Sequence, residues 1–267
     1  MTESDKPAAT AFPAIRTVGP AAPLAWLAAG GRDFRAAPAA SLFYGFAFVV
    51  MGFLLNVLFA SSPHITLALG TGFTLIGPFL AIGLYDLSRQ RERGETPRLD
   101  PSLTAWRSNL GAISFYAVIL LLLFAGWARV SVVLVALFFE GSMPSVATFL
   151  QHIVFSGENV EFLAIYVGAG ATFALLVFAL SVISIPLMMD RGTDTITAMI
   201  ASFLALTRSF PAMIVWAALI AILIFAGLAT FYLGLAITAP LVGHATWHAY
   251  REVVAPITSS PSPAAIG

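Results

Sequence analysis

Long apolar stretches separated by short polar segments are the main pattern in this chain. Residues 38–60, 64–85 and 162–189 contain no Asp, Glu, Lys or Arg, and residues 110–139 contain only Arg129. A helix needs about 20 mostly apolar residues to cross the hydrocarbon core of a bilayer. Each of the four stretches is long enough, so the pattern predicts four membrane-spanning helices before residue 190.

A fifth apolar block, residues 211–249, has two interpretations. As one helix it would be about 58 Å long, nearly twice the thickness of the hydrocarbon core. We therefore favour two spans that fold back near residues 227–230; the alternative is a single tilted helix that ends before Pro240 and continues as an interfacial tail. The pattern thus predicts an all-α, polytopic transmembrane helix bundle with six spans, or with five in the alternative. The predicted spans are residues 38–60, 64–85, 110–138, 162–189, 210–227 and 230–250. They belong to a single transmembrane domain at residues 23–254. We expect a disordered cytoplasmic N-terminus at residues 1–22 and a disordered tail at residues 255–267.

The composition supports a membrane location and excludes several classes of function. Of the 267 residues, 59% are hydrophobic and 10% are charged, and the mean hydropathy is +0.92, whereas soluble domains have about 25% charged residues. So few charges cannot cover a water-exposed surface, which excludes a soluble enzyme. Thirteen basic and thirteen acidic residues leave no net charge that would attract nucleic acid. Without cysteine, the chain forms no disulfide and no thiolate metal site.

The basic residues mark one side of the membrane. They cluster before the first predicted span, between the second and third, and between the fourth and fifth, whereas residues 140–161 contain three glutamates and no Lys or Arg. Basic residues are enriched in cytoplasmic loops. The distribution predicts a cytoplasmic N-terminus and, with six spans, a cytoplasmic C-terminus near Arg251. The basic residues in these clusters are Lys6, Arg16, Arg32, Arg35, Arg89, Arg91, Arg93, Arg98, Arg107, Arg191 and Arg208.

The predicted spans group into three repeated units, each an interfacial helix followed by a helical hairpin. Amphipathic segments starting near Pro23, Asp100 and Asp194 each precede an odd-numbered span, and Asp194 is a predicted N-cap. A proline lies in the cytoplasmic half of each even-numbered span, where it frees a carbonyl group and bends the helix. We interpret these bends as static kinks for packing rather than moving hinges. The three prolines are Pro78, Pro186 and Pro240.

Aromatic and basic residues near the span ends are predicted to anchor the helices in the headgroup region. These anchors are Trp26, Trp106, Trp247, Tyr250 and Arg251. Arg129 is embedded in an otherwise apolar span, about 20 residues in and near its outer boundary. We expect its side chain to extend outwards and pair with Glu140, Glu158 or Glu161 as a structural anchor.

His244 and His248 are the most suggestive pair for chemistry. A spacing of four places both imidazoles on one face of a helix, which suits a metal ion or a haem. Glu252 is the only other ligand nearby, and His64 and His152 fall on the opposite side of the membrane in the predicted topology. We therefore favour an interfacial belt over a cofactor site, and we predict no catalytic residue, no metal and no cofactor.

Two segments resemble a known family. Residues 23–27 (PLAWL), 32–34 (RDF) and 38–45 look like its opening, and residues 240–251 (PLVGHATWHAYR) look like its closing signature. Together they resemble the bacterial integral membrane proteins grouped as domain of unknown function 2189, over about residues 20–254. The resemblance implies a bacterial inner (plasma) membrane location and no established activity. Some members carry the label cytochrome c oxidase subunit I, but catalytic haem–copper subunits use six histidines and this chain has four.

These features predict a non-catalytic membrane protein that acts through helix packing, as an accessory, assembly or scaffold subunit of a membrane complex. Its expected partners are the lipid bilayer and other membrane-protein subunits, and not nucleic acid. The alternative is a transporter, a channel or a lipid-handling protein, which the repeated proline-containing spans suggest. The lack of carboxylates inside the predicted spans weighs against an ion-coupled transporter.

Overall fold

The computed structural model describes residues 12–61, 80–138 and 159–256, and these residues are almost entirely helical. Ile15 and Val254 form an isolated antiparallel bridge that joins the two ends of this region. We number the helices in chain order. They are α1 (Ala22–Ala36), α2 (Pro38–Ser61), α3 (residues 80–92), α4 (Leu99–Ser102), α5 (Leu110–Phe138), α6 (Val160–Ser181), α7 (Ser184–Arg191), α8 (Thr195–Arg208), α9 (Phe210–Ala229) and α10 (Leu235–Val253), with a 3-10 turn at Ala105–Asn109 before α5.

Three helical segments in the described parts of the chain are long and apolar enough to cross a membrane. They are Leu99–Phe138, which contains α4 and α5, Val160–Arg191, which contains α6 and α7, and Phe210–Ala229, which is α9. α1 and α2 would make a fourth only if taken together, and they are bent by 108° where they meet. α10 is not among these segments, and residues 62–79 of the second predicted span, including Pro78, lie outside the described residues. The helical membrane architecture is confirmed, whereas the predicted count of six spans is not.

The bend between α1 and α2 follows from Pro38, the first residue of α2. A proline disfavours the helical conformation for the residue before it, and Ala37 has φ −136° and ψ 60°. The N–H of Ala37 still donates to the carbonyl oxygen of Asp33 at 3.1 Å, so α1 is complete up to this point. The chain therefore changes direction within one residue.

Pro186 divides the fourth predicted span into two helices. α6 ends and α7 begins three residues later, so that Pro186 is the third residue of α7. A proline cannot bond to the carbonyl four residues earlier, here that of Val182, and its ring clashes with it. In the first turn of a helix the N–H has no intrahelical partner in any case, so the helix restarts just ahead of the proline. The kink predicted at Pro186 is observed as a break.

Pro240 lies inside α10, and the helix continues through it. Because proline has no N–H, the carbonyl of Ala236 lacks its usual helical bond. Gly45 of α2 packs against this carbonyl, since a Cβ atom at Gly45 would lie 2.1 Å from the Ala236 oxygen. Close helix contacts of this kind are stabilised by weak Cα–H···O bonds. The proline and the glycine thus serve one packing contact, which favours the static interpretation of the kink.

The apolar block at residues 211–249 folds back as predicted. α9 and α10 are joined by a turn at residues 230–234, which excludes a single long helix. Thr230 stabilises this turn, because its hydroxyl donates to the carbonyl of Gly227 at 2.9 Å and accepts the N–H of Gly234 at 2.8 Å.

α8 has two different apolar faces. Asp194 caps the helix as predicted by accepting the N–H of Thr197 at 2.9 Å, and the backbone and hydroxyl bonds from Thr197 lower the pKa of Asp194. The face packed on the protein consists mainly of small, fully buried residues, Ala198, Ala201 and Ala205. The large side chains Ile196, Ile200 and Phe203 point outwards and are each about half exposed. This orientation suits a helix that lies on a lipid surface.

The described helices form two groups. α10 packs on α1, α2 and α9, whereas α6 packs on α5 and on α8, which also contacts α7. The three predicted units differ in their first element: α1 and α8 have 15 and 14 residues, but the segment before α5 contains only a four-residue helix and a five-residue 3-10 turn. The repeat is therefore not confirmed.

Replacing Gly45 by alanine is expected to destabilise the protein, because the added methyl group meets backbone atoms of α10 rather than a flexible side chain. Overpacking of this kind costs about 1–3 kcal/mol. Gly168→Ala in α6 is the matched control, since nothing lies within 4 Å of a Cβ atom there, and it is expected to stabilise by roughly 0.5–1 kcal/mol. Thermal unfolding in one detergent measures both; equal midpoints would contradict the close contact of α2 with α10.

Candidate functional site

The C-terminal half of α10 contacts four other helices through polar side chains. Residues 244–252 have the sequence His-Ala-Thr-Trp-His-Ala-Tyr-Arg-Glu, and six of these side chains bond to a different helix. We name these six residues the C-terminal hub. They are His244, Trp247, His248, Tyr250, Arg251 and Glu252, and their partners lie on α1, α2, α3 and α7.

His244 connects α2 to α3 inside the protein. Its Nε2 atom lies 2.9 Å from Oγ of Ser41, and its Nδ1 atom lies 2.8 Å from Oγ of Ser88. The Ser41 hydroxyl is also 2.8 Å from the carbonyl oxygen of Ala37, to which it donates. A neutral imidazole has one donor nitrogen and one acceptor nitrogen, so it can bond to a hydroxyl on each side.

Burial keeps His244 uncharged. Desolvation lowers the pKa of His244 from its ordinary value of 6.5 to about 4, although the charge of Asp33 opposes this effect. The charges of His248 and Arg91 lower the pKa further. His244 is therefore neutral near pH 7 and acts as a hydrogen-bonding link between two hydroxyl groups.

Asp33 of α1 is the carboxylate at the centre of the hub. It is 4% exposed and forms an ion pair with Arg91 of α3, while its Oδ2 atom lies 2.7 Å from Nε2 of His248. A buried carboxylate is stable only when paired and hydrogen-bonded, and here the partners come from two other helices.

Two further carboxylates join α10 to α3 and α7. Glu92 accepts the indole N–H of Trp247 at 3.0 Å and the Nε–H of Arg251 at 2.8 Å. Asp190 accepts the hydroxyl of Tyr250 at 2.7 Å and lies 3.4 Å from Nη1 of Arg251. Arg251 thus bridges acidic residues of two helices.

The last hub contact joins α10 to α1. Trp26 donates its indole N–H to Glu252 at 2.6 Å and packs edge-to-face on Trp216 of α9, with 5.7 Å between the ring centroids. Both tryptophan side chains are fully enclosed. The start of α1 is therefore held to the end of α10 and to the start of α9.

The residues predicted as interfacial anchors behave in two ways. Trp26, Trp247 and Tyr250 are 2%, 1% and 0% exposed, and each donates its hydrogen bond to a carboxylate inside the protein. Enclosed side chains cannot reach lipid headgroups, so the anchor prediction is wrong for these three. Arg251 remains partly exposed within its ion pairs, and Trp106 lies half-buried at the surface.

The hub has some features of a catalytic or metal site, but its geometry favours neither. Ser41 and His244 have the separation of a nucleophile and its general base, yet both are buried, so a substrate has no access to Ser41. Both ring nitrogens of His244 are bonded to hydroxyls, and His248 bonds to a different partner, Asp33. Within the described residues, no group of three His, Cys, Asp or Glu residues is placed to hold a metal ion.

Arg129 is exposed on α5, near the end that leads to residue 138. Two of its three predicted partners, Glu140 and Glu158, lie outside the described residues. The anchoring role of Arg129 therefore stays a prediction.

An apolar groove between three candidate spans is the second notable feature. α5, α6 and α9 form its walls, and its volume is about 840 Å³. α5 and α6 contact each other, whereas α9 packs on α10, so the groove separates the two groups of helices. Small wall residues leave this space open, among them Gly170, Ala174, Ala217 and Ala221. We name it the lateral groove.

With the hub and the lateral groove described, comparison with known proteins adds one match. Residues 65–190 match the family model described as Predicted integral membrane protein (DUF2189). The match covers α3 to α7, and it does not include residues 23–45 or 240–251, on which the resemblance stated above is based. No curated protein and no solved structure matches the chain. The match supports an integral membrane protein of a family without an assigned function.

The sequence alone indicates the hub residues but does not pair them with their partners, and among these partners it marks only Trp26, as an anchor. The partners lie between 60 and 226 residues away along the chain, and one sequence carries no signal for such pairs. One local signal lies in residues 86–92, which follow the second predicted span at residues 64–85 and continue α3. Helical spacing places Ser88, Arg91 and Glu92 on one face, and this face meets the hub.

Replacing His244 by glutamine is expected to reduce the loss of stability to unfolding that occurs as the pH falls. Between pH 6.5 and about 4 the unfolded chain binds a proton at His244 that the folded protein does not accept. The contribution of neutral His244 to the free energy of unfolding is therefore fully present above pH 6.5. It is lost as the pH falls towards 4, and the loss is at most about 3 kcal/mol. An amide also bonds to Ser41 and Ser88 but does not titrate.

Thermal midpoints of wild type and H244Q, measured in one detergent from pH 8 to pH 4.5, test this expectation. The difference between the two proteins removes the effect of acidic groups common to both. Parallel curves for wild type and variant would contradict a buried neutral His244.

Proposed function

We propose that this chain is a non-catalytic accessory, assembly or scaffold subunit of a membrane complex. The observation that supports the proposal is the hub. Its polar and titratable side chains, which could otherwise take part in catalysis, bond to other helices of the same chain. Such an arrangement fixes a shape, and the hub residues bonded in this way are not free to act on a substrate. A protein of this kind acts through the surface that it presents to its partners.

The polar chain from Ser41 through His244 to Ser88 is the strongest argument for an enzyme, and its setting weighs against one. An activated serine must reach a substrate carbonyl or phosphoryl group. Ser41 is 0% exposed and donates to the backbone carbonyl of Ala37. Its role in the proposal is to hold the first turn of α2 on α10.

We place the chain in the inner (plasma) membrane of a bacterium, with the N-terminus and the hub on the cytoplasmic side. The positive-inside bias supports this orientation, since Arg91, Arg191 and Arg251 all belong to the end of the structure that contains the hub. The exposed Ile200 and Phe203 of α8 would then lie on the inner surface of the bilayer.

Lipid handling is the second candidate, and the lateral groove is the observation that favours it. The groove is lined almost entirely by apolar side chains and lies between candidate spans. It therefore suits a hydrocarbon chain better than an ion or a polar solute, which favours lipid handling over a channel or an ion transporter.

Affinity purification from native membranes tests the scaffold role. We expect the tagged chain, extracted with a styrene–maleic acid copolymer, to bring a second polypeptide with it in a fixed ratio, measured by quantitative mass spectrometry. Asp33→Asn, which weakens the centre of the hub, is expected to lower both the thermal midpoint and the recovery of that partner. Ser131→Ala is the matched control, because it removes only a bond to Tyr166 between α5 and α6. Recovery of the wild-type chain alone, without a partner in fixed ratio, would count against the proposal.

A further inference from the structure

We propose that the lateral groove binds the two acyl chains of a membrane phospholipid. This inference deepens the second candidate function and is independent of the scaffold role. It is argued from the size of the groove, from its connection to the bilayer-facing surface, and from one hydroxyl group at its end.

The groove runs for about eleven residues along two of its three walls, α6 and α9, and from Leu120 to Trp127 along α5. On α6 it extends from Gly170 to Ser181, and on α9 from Ala217 to Leu228. At 1.5 Å per residue this is a length of about 16 Å. The groove is therefore an elongated channel parallel to the spans, with Trp127 of α5 near the end opposite to Ser181.

The groove has room for two acyl chains. An extended hydrocarbon chain packs at about 4 Å from its neighbours and fills roughly 20 Å² in cross-section. Two such chains over a length of about 16 Å occupy roughly 640 Å³, and the volume of the groove is about 840 Å³. The choice of a lipid as the occupant therefore depends on what has access to the opening and on the polar contact at its end.

The groove is continuous with the surface that faces the bilayer. Leu175 of α6 lines the groove and is 43% exposed. Leu122 of α5 and Ile222 of α9 are each next in the chain to a residue that lines it, and they are 66% and 62% exposed on candidate spans. Apolar side chains exposed on spanning helices are covered by lipid, which makes lipid the molecule that has direct access to the opening. A lipid enters the groove sideways without leaving the hydrocarbon layer.

The Ser181 hydroxyl supplies the polar contact that a phospholipid needs. Ser181 lines the groove, and its Oγ atom accepts the hydroxyl hydrogen of Tyr116 at 2.6 Å. Among the described residues no acceptor is within hydrogen-bonding distance of the Ser181 hydroxyl hydrogen, so that hydrogen is available to a ligand. The ester carbonyl oxygens of a phospholipid lie at the head of the acyl chains and are acceptors only. The geometry thus orients the lipid with its ester groups towards Ser181 and its chains towards Trp127.

A photoactivatable phospholipid tests the inference on the purified full chain. The protein is reconstituted in vesicles of phosphatidylethanolamine and phosphatidylglycerol that contain a trace of phosphatidylethanolamine with a diazirine in one acyl chain. After illumination, labelled residues are mapped by mass spectrometry. We expect residues of the groove walls, such as Leu123 and Ile220, to be labelled about tenfold more than the exposed Leu122 and Ile222, the ratio given by a preference of about 1.4 kcal/mol over bulk lipid.

Two variants fill the groove from opposite walls. Ala174→Trp and Ala221→Trp place an indole in the space, and each is expected to reduce labelling of the groove to the level of the exposed positions. Ala218→Trp is the matched control, because Ala218 is exposed on the same helix as Ala221 but does not line the groove. The thermal midpoint of each variant shows whether it is folded. If neither variant folds, the labelling ratio of the wild-type protein still tests the inference.

Three results would overturn the inference. They are equal labelling of groove and exposed residues in the wild-type protein, unchanged groove labelling in both filled variants, and a cross-link that places a helix of a second copy in the groove. The purified chain is used without a partner, so this experiment and the affinity purification fail independently of each other.

Discussion

The packing of α10 between the other helices is the constraint on which the structure depends. Its C-terminal half supplies bonds to Asp33, Ser88, Glu92 and Asp190, which come from three different helices. A buried polar group that loses its partner costs about 1–3 kcal/mol, and a charged one costs more. The helices are therefore held to one another mainly through a common partner. Movement of α10 would leave several of these groups unpaired at the same time.

Glycines set the distance at which these bonds form. A Cβ atom at Gly30 of α1 would lie 2.7 Å from the backbone of Ala245, and one at Gly243 would lie 2.6 Å from the side chain of Leu84 in α3. Together with Gly45 of α2, a glycine is present where each of the three N-terminal helices meets α10. Small residues at helix contacts allow backbones to approach closely, and short side chains such as serine and aspartate can then reach across. The polar bonds of the hub are thus a consequence of the close packing.

Local signals were sufficient to predict much of the helical framework. Apolar stretches of the right length indicated α5, α6 and α9, Pro186 marked a kink, and Asp194 marked the start of α8. The hub was interpreted as an interfacial belt because both contain the same residue types. Each has tryptophan and tyrosine beside arginine at the end of an apolar segment. Only the partner carboxylates distinguish the two cases, and they lie far away in the sequence. The lateral groove was equally out of reach, since it arises from the separation of α9 from α5 and α6 and not from any one segment.

The position of the hub after α1, α2 and α3 in the chain has a consequence for biosynthesis. A ribosome delivers α1, α2 and α3 to the membrane long before α10, and domains generally fold in the order in which they emerge. During this interval Asp33, Ser88 and Glu92 lack their partners on α10. Chains that terminate early would keep these groups unsatisfied within or beside the bilayer, where proteases and insertion factors recognise incomplete membrane proteins. Synthesis of α10 therefore satisfies these groups, and the lifetime of a truncated chain would depend on how much of residues 244–252 it retains.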